Sequence, residues 1–401
     1  MIVTATRTAN LVPSRWPRSA GQLRAVRRRA ERTMRLHRRL DRAGQLLPLV
    51  TARYPSFVYP ALGHARNVIP VFVQHELPSD EFAQTLEYLH RNGYRTITCD
   101  ELVRLLSRGG GTGKEVVLTF DDGLRWMYDV AFPLLKRYDC KAVSFVCPGL
   151  IEDHHGRGDG DSALSSLCTW DRLREMADTG LVDVQCHGLR HARVWTSPTI
   201  IGLLGPGGDH VVHEERLVPA FRPRVDSGAR TARFPSLGAP IHPHRPSLQS
   251  ARRFDDPKFT ERCLTYAVRY GEGFPEHPAW RSARGSGSFV ASGRWITGVE
   301  RATEMRDALL EARRLLTDHL SPRSAKHFAW PWWQGCAMAR WAVRQAGFET
   351  AFCGPAAYGF GRRRGSVMPR PIPRMSLDWH RRLPGNGRES FGTIVRKKLR
   401  E

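Results

Sequence analysis

The pentapeptide Thr119-Phe120-Asp121-Asp122-Gly123 closes an apolar run, Val116-Val117-Leu118, and a spaced histidine pair follows in Gln185-Cys186-His187-Gly188-Leu189-Arg190-His191. Two neutral imidazoles and one carboxylate suit a zinc-like divalent metal, and three protein ligands leave a position open for water and substrate, as catalytic sites do. The second carboxylate is then available to take a proton from the attacking water while the metal polarises a carbonyl. An aspartate pair alone is often a solvated turn, and a lone histidine is more often a satisfied core residue. The combination of the two points to a metal-dependent hydrolase. The spacing of His187 and His191, with a glycine between, can bring both rings to one point on a helical turn or around a tight loop. His75, at the end of Val71-Phe72-Val73-Gln74-His75, is the candidate to protonate a leaving amine. On these residues alone, a histidine satisfied by backbone at a strand end is an equal reading.

The elements that must position these groups are those of an α/β domain. A β-branched run, Val68 to Val73, is followed by a segment in which Ser79 can cap a helix with Asp80 and Glu81 in its first turn, Phe82, Leu86 and Leu89 on its buried face, and Gly93 at its stop. Further strands are expected at 116–120, 142–147, 182–186, 327–330 and 350–353, and helices near 126–138, 170–178, 302–319 and 336–345. Alternating strand and helix argues for a parallel sheet or a (β/α) barrel, whose reactive residues gather at the C-terminal ends of strands. Both motifs fall at such ends. Residues 195–298 break the rhythm with Gly, Pro, Arg and Ser, holding one expected helix near 257–270, and read as an insertion over the site.

The 401 residues carry a formal charge of +23, which suits an anionic partner without choosing one. Eleven arginines between 14 and 43 stand against Glu31 and Asp41, with Leu23, Val26, Ala30 and Met34 at helical spacing. The segment is a basic arm, either solvated or lying on an anionic membrane surface. A Pro-broken linker, 46–62, follows it, and residues 386–401 form a basic tail. Eight scattered cysteines without a CxxC pair read as reduced and structural. No run approaches the roughly 18 to 20 apolar residues that span a bilayer, and no apolar segment backs the N-terminal arginines. The expectation is a cytoplasmic protein, peripheral at the inner membrane surface. No zinc-finger, RNP or helix-turn-helix signature supports a nucleic-acid partner.

The motif Thr119-Phe120-Asp121-Asp122-Gly123 with His187-x-x-x-His191 resembles the polysaccharide deacetylases of carbohydrate esterase family 4, the NodB-homology family. Ile69 to His75, Phe82 to Leu89 and Asn92 to Ile97 are similar to members that act on exported poly-N-acetylglucosamine. Phe328-Ala329-Trp330-Pro331-Trp332 and Ala346 to Phe352 look like the segment walling the substrate groove. The resemblance covers about two thirds of the chain. It implies a deformed (β/α) barrel over 65–385, with the long insertion and the basic N-terminal arm (1–64) added to it. It further implies that Asp121 is the general base, that Asp122, His187 and His191 hold a divalent metal, zinc, and that His75 is the general acid. Pro331 and Trp332 would line a groove for an N-acetylated glycan, a polymer, oligosaccharide or lipid-linked precursor. The sequence departs from the family pattern at Gly188, where Ser or Thr is usual, and in the groove segment, which lacks the arginine many members place near the base; Arg374 is the candidate substitute. The alternatives are a related amidase or deformylase on a smaller substrate, or a glycan-binding protein without turnover.

Overall fold

The structure, a computed structural model, describes residues 54–59, 68–151, 167–198, 202–203, 240–242, 244–270, 293–333, 335–355 and 370–400. The basic arm and most of the linker lie outside them.

The first part of the domain alternates strand and helix: β1 (Val71–Gln74), α1 (Ser79–Arg91), β2 (Arg95–Thr96), α2 (Cys99–Ser107), β3 (Glu115–Phe120), α3 (Phe132–Tyr138), β4 (Ala142–Val146), α4 (Trp170–Asp178) and β5 (Val182–Cys186). Every residue of β3 and β4 is buried, as parallel strands covered on both faces must be, and this is why they read as near-continuous apolar runs. Pro78, not Ser79, occupies the N-cap of α1, and Ser79 is the first helical residue. A reciprocal capping box sets the start of α2. The Thr98 hydroxyl accepts from the Glu101 backbone N–H while the Glu101 carboxylate accepts from that of Thr98.

Among the described residues, the segment 193–298 contributes three short antiparallel pairs: β6 (Arg193–Trp195), β7 (Gly202–Leu203), β8 (Pro240–Ile241), β9 (His244–Pro246), β10 (Arg253–Asp255) and β11 (Gly293–Trp295), joined as β6 to β9, β7 to β8 and β10 to β11. The helix α5 (Pro257–Tyr270) lies within it. The chain then returns to the main sheet through α6 (Gly298–His319), β12 (His327–Ala329), α7 (Ala337–Gln345), β13 (Thr350–Cys353), β14 (Arg370–Pro373) and β15 (Met375–Ser376).

The main sheet runs in the order β14-β13-β12-β5-β4-β3-β1-β15, with β2 branching from β3, and every pairing in it is parallel. Its two end strands are consecutive in the chain and separated by Arg374 alone. One stretch of backbone therefore pairs with β13 on one side and β1 on the other, and the sheet closes into a deformed (β/α) barrel. Sequence reading missed this closing stretch, because Pro371 and Pro373 argue against a strand interior and neither segment carries a period of its own. The closing strand tolerates those prolines because each half needs a ladder on one side only.

The C-terminal residues, read from sequence as a basic tail, form the helix α8 (Phe391–Arg400). Ile394 is buried in the main core and the Phe391 ring lies 6.1 Å from that of Trp379. Lys397 reaches Glu81 at 2.7 Å and Asp378 at 3.1 Å. Among the described residues no helix is long and apolar enough to cross a membrane. The eight cysteines are free thiols, six of them buried.

Candidate active site

At the C-terminal end of β3 the chain turns through two residues in the left-handed region, Asp122 at φ 73° and Gly123 at φ 70°. Such a conformation strains an aspartate but suits glycine. A side chain at position 123 would also meet Val146, whose Cγ1 would lie 2.9 Å from an added Cβ. The turn brings the carboxylates of consecutive residues to one place, where an extended strand would send them to opposite faces.

Asp121 is 2% exposed and grips Arg374, which is fully buried between β14 and β15. The guanidinium donates to both carboxylate oxygens, Nη1 to Oδ1 at 2.6 Å and Nη2 to Oδ2 at 2.9 Å, the bidentate geometry in which arginine binds carboxylate best. Nη1 also reaches the Thr119 hydroxyl at 3.3 Å, and that hydroxyl donates to the Phe72 carbonyl of β1. Burial pushes the Asp121 carboxyl up, but Arg374 and then His187 pull it down further, to about 2. The group is thus a carboxylate throughout the working pH range.

His187 follows the end of β5, is 1% exposed, and has its Nδ1 3.0 Å from the Ala329 carbonyl at the end of β12. That contact selects the tautomer with the proton on Nδ1 and leaves the Nε2 lone pair facing the aspartates. His187 Nε2 lies 3.6 Å and His191 Nε2 3.7 Å from Asp122 Oδ1. The two histidines meet around a loop, with Gly188 at φ 84° and His191 at φ 47°, and not on a helical turn. Gly188, where the resembled family usually has Ser or Thr, is thus held in a conformation that a side chain would strain.

Asp122, His187 and His191 each offer one ligand atom, all within 4.8 Å of one another. Spacings of 3.6 and 3.7 Å lie near the roughly 3.3 to 3.5 Å edge of a tetrahedron with bonds of about 2.0 to 2.1 Å. Asp122 Oδ1 is buried with no hydrogen-bond partner among the described residues, a costly state that a cation would relieve. Burial lowers the pKa of both histidines, that of His191 to about 4 with help from neighbouring His187. Both are therefore neutral, as ligands must be. The residues fit a divalent metal.

His75 stands just past β1, half exposed, with Nε2 3.7 Å from Asp122 Oδ2, whereas the histidine pair faces Oδ1. Trp332 packs its ring 3.9 Å from that of His191, and Pro331 lies against Gly188. Trp332 and Trp333 both take left-handed φ values, 50° and 67°. All eight residues singled out in the sequence, His75, Asp121, Asp122, His187, His191, Pro331, Trp332 and Arg374, gather at the strands' C-terminal face. Three contributors were missed. The Ala329 carbonyl has no side-chain signature, and Thr119 shows in sequence only as the first residue of the motif, with nothing to mark its hydroxyl as a partner of Arg374. Arg193, the first residue of β6, lies over the Trp332 ring at 4.7 Å; its nearness to His191 in sequence was the available signal.

Residues 108–200 match the family model described as polysaccharide deacetylase. The chain is 30% identical over 141 residues to a Bacillus subtilis (strain 168) protein provisionally named polysaccharide deacetylase YxkH, covering 35% of this chain and 44% of that one. It is 29% identical over 113 residues to the poly-beta-1,6-N-acetyl-D-glucosamine N-deacetylase of Staphylococcus epidermidis, covering 28% and 37%. The chain thus spans less than half the length of these relatives. A solved de-N-acetylase from Aggregatibacter actinomycetemcomitans superposes with a TM-score of 0.48 at 15% identity, over 82% of this chain and 99% of that one.

Two outcomes follow from the electrostatics. Arg374→Met strands the buried Asp121 charge and should cost about 3 to 5 kcal/mol of stability at pH 7 in urea unfolding; a loss below about 1 kcal/mol would show that the pair does not hold this region. In metal-free protein, stability should fall as pH drops from 6.5 to about 4, because the unfolded chain takes up a proton there that buried His191 refuses. The contribution is about 3 kcal/mol for His191, complete below its folded pKa. Urea midpoints that stay level across this window, or that fall no less steeply in His191→Asn, would contradict it.

Proposed function

We propose that this protein, whose residues 108–200 belong to the polysaccharide deacetylase family, is a metal-dependent hydrolase that removes N-acetyl groups from an amino sugar in a glycan, releasing acetate and a free amine. One observation carries the reading: a carboxylate kept ionised by a buried arginine stands beside a three-residue ligand set at the C-terminal face of the barrel. Two roles are thereby divided between consecutive aspartates, one ligating and one free for proton transfer.

Asp122, His187 and His191 would hold the metal, zinc by the preference of two imidazoles and a carboxylate. When bound it supplies Lewis-acid chemistry, polarising an amide carbonyl and making water a competent nucleophile near neutral pH. Asp121 takes the proton of the attacking water. Its depressed pKa makes it a weak base, and Arg374 keeps it aimed and unprotonated between turnovers. His75, beside Asp122 Oδ2 and half open to solvent, protonates the departing nitrogen. Trp332 and Pro331 offer a wall on which a sugar ring can stack.

The Staphylococcus epidermidis relative and one from Escherichia coli (strain K12) are named for poly-beta-1,6-N-acetyl-D-glucosamine. A poly-N-acetylglucosamine-type glycan, as polymer or as lipid-linked precursor, is therefore the substrate we favour, with a role in making or modifying surface polysaccharide. The basic arm before residue 45 would hold the protein peripherally at an anionic cytoplasmic membrane surface, a reading that rests on its charge.

Zinc-loaded protein should release acetate from β-1,6-linked N-acetylglucosamine oligosaccharides and lose this activity on chelation. Asp121→Asn should lower turnover by about 10² to 10⁴-fold with metal content retained, whereas full activity with metal bound would remove Asp121 from the base role. Deleting residues 1–45 should weaken binding to phosphatidylserine-containing vesicles. Unchanged binding would refute the membrane role of the arm.

A further inference from the structure

Next to the candidate active site lies a cavity of about 350 Å³, walled by Gln74, His75, Trp333, Asp378, Lys397 and Lys398 among others. The size suits one small ligand group. His75 belongs to both spaces, since its Nε2 is also 3.7 Å from Asp122. A chain of sugars with one acetamido group at the ligand set would extend past His75 into this cavity.

The walls are built and charge-balanced. Lys397 bridges Glu81 at 2.7 Å and Asp378 at 3.1 Å, and Lys398 pairs with Asp378 and donates to the Ser376 hydroxyl at 2.8 Å. Two ammonium groups thus stand against two carboxylates, all four lining the cavity. An anionic ligand would face Asp378 and Glu81, and a cationic one would face the lysines. A neutral ligand rich in hydroxyls meets donors and acceptors already held in place by their pairing, so little ordering cost attends binding.

Trp333 supplies an apolar face. Its left-handed φ of 67° is a strained conformation, maintained by a Trp333 N–H bond to the Trp330 carbonyl at 2.9 Å. Gly354 makes room for the ring: an added Cβ would come within 2.5 Å of Trp333 Cε3. One aromatic face with a ring of compensated polar groups is the chemistry that recognises a pyranose.

We propose that this cavity binds one uncharged pyranose residue, the sugar glycosidically next to the one whose amide is cut, and that α8, through Lys397 and Lys398, is a specificity element for chain length. The inference rests on the deacetylase reading above and deepens it. Pre-organised walls from β1, β15 and α8 make the enzyme selective for oligosaccharides over small acetylated compounds.

The test compares kcat/KM for acetate release from a tetrasaccharide of N-acetylglucosamine with that for 4-nitrophenyl acetate, which is too small to span both spaces. The ratio should fall about tenfold in Lys397→Met and recover substantially in Lys397→Arg, with the loss appearing in KM. A merely structural role would lower both substrates together and leave the ratio alone, and that result overturns the subsite while the deacetylase reading stands. Wild-type protein that releases no acetate from any glycan overturns the deacetylase reading, and the subsite with it.

Discussion

The bidentate pair between Arg374 and Asp121 joins the chemistry to the architecture. Arg374 is the residue between β14 and β15, the two ends of the main sheet, so its backbone lies where the barrel closes. Its side chain crosses the interior to the carboxylate at the end of β3, touching on the way the Thr119 hydroxyl that is itself bonded to β1. Two charges taken out of water are costly, and only close geometry with added hydrogen bonds offsets that cost. The same contact that completes the barrel therefore holds Asp121 as a carboxylate and fixes which way it points.

Around this pair the backbone departs from ordinary conformations in a cluster. Asp122, His191, Trp332 and Trp333 have positive φ, and so do Gly123 and Gly188. Non-glycine residues in that region cost of order 1 to 3 kcal/mol each and persist where surrounding structure enforces them. Here the enforcing structure is the barrel rim, and the result is that consecutive residues can serve one point. The strand β6 shares in it: Arg193 lies over the Trp332 ring, and that ring packs at a tilt against His191, so β6 reaches a candidate ligand through two ring contacts.

Much of the frame was legible from residue pattern. Strands β3, β4, β5, β12 and β13 stand where apolar β-branched runs were read, because parallel strands buried on both faces admit little else. The helix α2 was missed although Thr98 and Glu101 write its capping box plainly. The closing stretch was hidden for a different reason: its strands are short, proline-bearing and separated by an arginine, and only the company of β1 and β13 makes them strands. The helix α8 was read as a tail because its basic residues dominate the composition, while Phe391 and Ile394 hold it to the core.

The sequence by itself determined the chemical kinds present: two adjacent carboxylates, a glycine-spaced histidine pair, a histidine at a strand end and an alternation that forces a parallel sheet. These are local properties, set by residue type, spacing and period. Which aspartate Arg374 grips, that His187 is oriented by a carbonyl of β12, and that the two histidines meet around a loop were decided only by the tertiary structure. Those contacts join residues far apart in the chain, and their geometry depends on barrel closure, strand register and the left-handed turns at the rim, none of which any single segment specifies.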